Sequence, residues 1–152
     1  MLAAKKDMTA ALVKIIGTAH GLFALWSLLI VIQLRNSELL TQLSAVQAFI
    51  KLTATFFGIA FMLLCMWFSW QLSANAASFA WLALGTFLVA AFSDTVALRG
   101  PKGFLSLIPT FYKAVLVRAA AALALSFLLF GLPQQSLAAN NSFKPPPLRG
   151  AA

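Results

Sequence analysis

Residues 108–133 read IPTFYKAVLVRAAAALALSFLLFGLP, an apolar run with Pro109 near its start and Gly131 and Pro133 at its end. Proline suits the first turn of a helix, where its missing N–H has no partner in any case, while glycine and proline close one. The roughly 22 residues between these marks would extend about 33 Å as a helix, enough to cross a hydrocarbon core of about 30 Å. Lys113 and Arg118 stand in its first half. A charge at the centre of a bilayer costs ~2.5–3.5 kcal/mol on insertion scales, and such residues normally pair or face the interior. The stretch therefore predicts a membrane span that needs something for its cations to face.

Working outward, three more apolar runs appear. The first covers 15–34, with Thr9 as a candidate N-cap, and ends at Arg35 and Asn36. The second covers 52–72 and the third 78–98, separated by the uncharged turn SANAAS at 73–78. Arg99, Gly100 and Pro101 stop the third. Upstream of the second run, residues 38–51 place Leu39, Leu40, Leu43, Val46, Gln47 and Ile50 at three- and four-residue spacing, largely apolar on one side. With no Pro between Ser37 and Leu72, and Gly58 the one glycine there, one helix capped by Ser37 is expected, longer than the bilayer is thick. Residues 134–152 form a polar, proline-rich tail with Pro145 to Pro147 extended and a glycosylation-like triplet at Asn140. The expected fold is an all-α integral membrane four-helix bundle, residues 1–133, followed by that tail.

Composition supports this class. The chain is 62% hydrophobic and only 9% charged, against about 25% charged in soluble domains, so a water-facing surface cannot be built from it. Lys and Arg number 11 against three acids, Asp7, Glu38 and Asp94. The cations lie at the ends of apolar runs and form no basic stripe with interleaved aromatics, which argues against nucleic acid and for lipid headgroups and acidic neighbours. Cys65 is the single cysteine, so no internal disulfide framework exists. Lys5 and Lys6 precede an apolar stretch, as in a signal peptide, but its length and lack of a cleavage site suit a retained first span. Asp7 weakens a mitochondrial presequence. Basic residues divide evenly between the two expected faces, so the positive-inside rule assigns no orientation.

Folding the third and fourth runs into a hairpin sets Asp94 level with Phe111 and within reach of Lys113, an intramembrane ion pair. Arg118 lies deeper, where snorkelling gives partial relief. The remaining acids are too few to serve it, so a carboxylate, carbonyl or phosphate from a partner or a lipid is expected to meet it. Gly17 and Gly21 form a GxxxG in the first run, and Ala54/Gly58 and Ala122/Ser126 repeat the small-residue spacing, which lets helices approach closely. His20 is the only histidine. One histidine cannot build a bis-histidine haem or an ordinary zinc site. It could ligate a single chlorophyll, or it donates a hydrogen bond to a backbone carbonyl. No Ser-His-Asp set and no phosphate loop is present.

These features favour a non-catalytic accessory subunit of a large membrane complex, in an energy-converting organelle membrane such as the mitochondrial inner membrane or thylakoid. Its expected partners are other membrane subunits and bound lipids, with no cofactor required and no soluble substrate evident. A free-standing endomembrane tetraspan that organises lipids or cargo is the second reading. A small proton-coupled transporter working through Asp94 is the third.

Overall fold

The computed structural model describes the backbone of residues 2–35 and 43–130, and the side chains of residues 7–29, 31, 32, 43–92 and 112–130. Helix α1 is Leu2–Arg35, α2 is Ala45–Trp70 and α3 is Asn75–Phe130. There is no strand among the described residues. Four runs are long and apolar enough to cross a membrane: Asp7–Leu29, Ala45–Trp70, Asn75–Phe92 and Tyr112–Phe130. The last two belong to α3, whose helix runs on through Arg99, Gly100 and Pro101, where a stop was expected, and through Pro109, where a new start was expected. On a straight helix Trp81 and Ser126 would stand about 67 Å apart, yet the Trp81 indole Nε1 donates to Ser126 Oγ at 3.3 Å. The chain therefore reverses between Phe92 and Tyr112, and α3 packs as two antiparallel limbs. The fold is an all-α, four-span membrane bundle.

Across that hairpin Arg118 stacks on Phe87. The Asp94 side chain itself lies outside the described residues, as do Glu38, Asn140 and the proline tail.

Two helix starts differ from expectation. Helix α1 begins at Leu2, so Thr9 is inside it rather than its cap; Leu, Ala and Lys ahead of Thr9 are strong helix formers and nothing interrupts them. The unbroken helix from Ser37 does not form. Leu43 sits in a bend, and Ser44 is extended at φ −61° and ψ 152°. The reason is a capping box. Gln47 N–H donates to Ser44 Oγ at 3.3 Å, while Ser44 N–H donates to Gln47 Oε1 at 3.1 Å. Two donors that helix continuation would otherwise have to satisfy are thus met by side chains. The amphipathic stretch 38–51 enters the helix only from Ala45, and 38–42 lie outside the described residues.

Helix α2 ends with Leu72 at φ 54°, a left-handed position usually given to glycine. Ser73 N–H bonds Phe68 O at 3.0 Å and Leu72 N–H bonds Ser69 O at 3.1 Å, which closes the last turn. Leu72 also packs against the core, and that contact offsets its backbone strain.

Small residues fill the inside. Ala24, Ala76, Ala80, Ala83 and Ala122 are buried, while Trp26, Phe56, Phe127 and Phe130 face outward. A water-soluble bundle would place these the other way round. In lipid, small interior residues bring helix backbones close, and large apolar side chains outside cost nothing. Trp67, Trp70 and Trp81 lie exposed around the α2–α3 turn. Trp70 Nε1 donates to Thr18 Oγ1 at 3.3 Å, and Lys14 Nζ lies 5.4 Å from its ring centroid. This end carries an interfacial aromatic belt.

Candidate functional site: a cation at mid-span

Arg118 lies within the Tyr112–Phe130 run, about 18 Å before its Phe130 end. Its side chain turns into the bundle. The guanidinium carbon is 4.2 Å from the Phe87 ring centroid on the first limb of α3 and 5.6 Å from that of Phe23 on α1. Nη1 reaches Met62 Sδ of α2 at 3.8 Å. The residue thus touches every other span.

Magnitudes show what this arrangement leaves undone. A desolvated cation–π contact contributes about 2 kcal/mol. Phe87 is close enough for that and Phe23 sits near the outer limit, so together they offset much of an insertion cost of ~2.5–3.5 kcal/mol. A ring face, however, stabilises charge without accepting all five guanidinium N–H groups, and a thioether is a weak acceptor. Among the described residues no carboxylate pairs with Arg118, and Asp7 is exposed in the first turns of α1.

His20 of α1 is only 8% exposed. Its Nδ1 lies 2.9 Å from Ile16 O. A carbonyl can only accept, so Nδ1 carries the proton, and the neutral ring keeps a lone pair on Nε2. No described residue bonds that nitrogen. The backbone bond expected of His20 is present, and it leaves Nε2 available as an acceptor or ligand. His20 and Arg118 border one cavity of about 200 Å³, between Ala19 and Phe23 of α1 and Val117 and Ala121 of the second limb, with Met62 of α2 also lining it. A smaller void of about 60 Å³ meets Arg118 from the side of Ser27, Gly58 and Thr86.

The other singled-out residues occupy different places. Gly17 and Gly21 face α2, where a Cβ on Gly17 would collide with Ser69 Cβ and one on Gly21 with Met66 Sδ. Ala54 and Gly58 face the first limb of α3, with Thr86 Oγ1 3.0 Å from a Cβ built on Gly58. Ala122 is buried with Ala76, Ala77 and Ala80, and Ser126 Oγ donates to Ala122 O at 2.8 Å. Lys113 is exposed, and its expected partner Asp94 lies outside the described side chains. No group of three His, Cys, Asp or Glu capable of holding a metal occurs among the described residues. Cys65 is buried and free.

Phe23, Met62 and Phe87 are the residues that sequence reasoning missed. Phe87 could have been found from the hairpin register alone. Phe23 and Met62 could not, because the outer spans are apolar on all sides and do not declare which face turns inward. No known protein family, curated protein or solved structure matches the chain.

Proposed function

We propose that this chain is a non-catalytic accessory subunit of a larger membrane assembly. One observation carries the reading. A guanidinium is held at mid-span against rings and a thioether, with no acid of the described chain to meet its hydrogen-bonding capacity. A neighbour supplies what is missing. Small interior residues give a bundle that packs without a ligand, and large exposed rings give it lateral surface for contact. An energy-converting organelle membrane is the proposed setting, on the general habit of such assemblies to include small basic multi-span chains.

Native electrophoresis after mild-detergent extraction tests this. Migration within a complex many times the size of the chain is expected. Migration as a monomer or dimer would overturn the proposal in favour of the free-standing tetraspan.

A further inference from the structure

We infer that the seam between α1 and the second limb of α3 seats a transmembrane helix of a neighbouring protein, which inserts one aspartate or glutamate side chain onto Arg118 and His20. This rests on the subunit reading and specifies its partner.

The seam holds the larger of the two voids that meet Arg118. Ala19 and Ala121 border a cavity of about 200 Å³ with Arg118 and His20 in its lining. Small-molecule sites usually enclose ~300–1,000 Å³, so this one is short for a separate ligand and fits a single side chain. A helix about 10–12 Å across stays outside. Alanines on both sides let its backbone come close, and Val117, 61% exposed, offers apolar surface beside the opening.

The polar groups select what enters. A carboxylate presents two oxygens to the planar guanidinium fork, the geometry in which arginine binds most strongly. It also cancels the one charge that the rings stabilise but do not neutralise. His20 is more than nine-tenths buried, and its Nε2 is without a partner among the described residues. A carboxyl group accepts from the guanidinium when ionised and donates to Nε2 when protonated. It therefore accepts from Arg118 in either state, through its carbonyl oxygen when protonated, and satisfies Nε2 of His20 in the protonated state. An amide would answer the hydrogen bonds and leave the charge.

The test places a benzoylphenylalanine photocross-linker at Val117 of the full chain in its native membrane. Mass spectrometry then maps the adduct. The expected adduct is a peptide from a membrane span of another protein with Asp or Glu inside that span. It should fall at least tenfold in Arg118→Gln and persist in Lys113→Gln, an exposed cation five residues away. Because Arg118→Gln could also loosen the bundle, a charge exchange completes the test. Arg118→Glu together with Asp/Glu→Arg in the captured span should restore the adduct that either single change removes. An adduct only with lipid, one with a span lacking an acid, an adduct unchanged by Arg118→Gln, or a charge exchange that restores nothing would each overturn the inference. If native electrophoresis still shows the large complex, the seam alone is wrong; monomeric migration removes both.

Discussion

Helix α1 has two faces built from similarly small residues, and they do opposite things. Toward α2, Gly17 and Gly21 are closed against Ser69 and Met66: a methyl group on Gly17 would meet Ser69 Cβ, and one on Gly21 the flexible end of Met66. Toward the second limb of α3, Ala19 and Ala121 border an open cavity. The difference lies in what stands opposite. Ser69 is short, fully buried and rooted in a rigid helix, so the glycine is filled by backbone approach. Opposite Ala19, the long Arg118 side chain lines the void and reaches across to Phe87. A stripe of small residues marks close approach only when the facing side chains are also short. When one is long and drawn elsewhere, the same stripe makes a gap.

Substitutions along α1 and its neighbours probe this contrast. Gly17→Ala should be the most damaging, lowering stability by about 1–3 kcal/mol, because Ser69 Cβ cannot move without its helix. A thermal melt of the purified chain in detergent would show it, and an unchanged midpoint would mean the α1–α2 contact is looser than described. Phe87→Leu removes the nearer ring beneath Arg118 and should cost up to about 2 kcal/mol. Denaturant titration should show that cost shrinking in an Arg118→Leu background, where no cation remains to be stabilised. Gly21→Ala collides only with the thioether of Met66, a flexible end that can turn aside, so its cost should stay below about 1 kcal/mol, well under that of Gly17→Ala. Trp81→Phe loses the bond to Ser126, about 0.6 kcal/mol by the average for such bonds in membranes, measurable by steric trapping of the two limbs. Gly85 has nothing within 4 Å of a built Cβ. Gly85→Ala should therefore be neutral or stabilise by up to about 1 kcal/mol through helix propensity, and a clear loss would reveal an unseen contact on that face.

The four spans were legible in the sequence, because apolar length is a local signal; the stop expected at Arg99-Gly100-Pro101 was not met, since α3 is helical through those residues. The start of α2 was not legible either. Ser37 and Ser44 are both plausible caps, and only Ser44 has a glutamine three residues on, a signal outweighed by the absence of any breaker upstream. Arg118 was legible as a charge in need of a partner, but its direction was hidden. A span apolar on every side has no polar face to orient it, so the choice between lipid, partner and interior depends on where rings from other spans arrive. Phe23 and Met62 come from the first and second spans, and no single-span pattern brings them together. The His20 backbone bond is an i to i−4 contact within one helix and needs no partner from another span.

The most direct measurement is native mass spectrometry of the chain released gently from its own membrane, wild type beside Arg118→Gln. A neighbour that completes the cation predicts wild type bound to another membrane protein and Arg118→Gln mostly free at single-chain mass. Equal association of the two, or wild type free from the start, would contradict it.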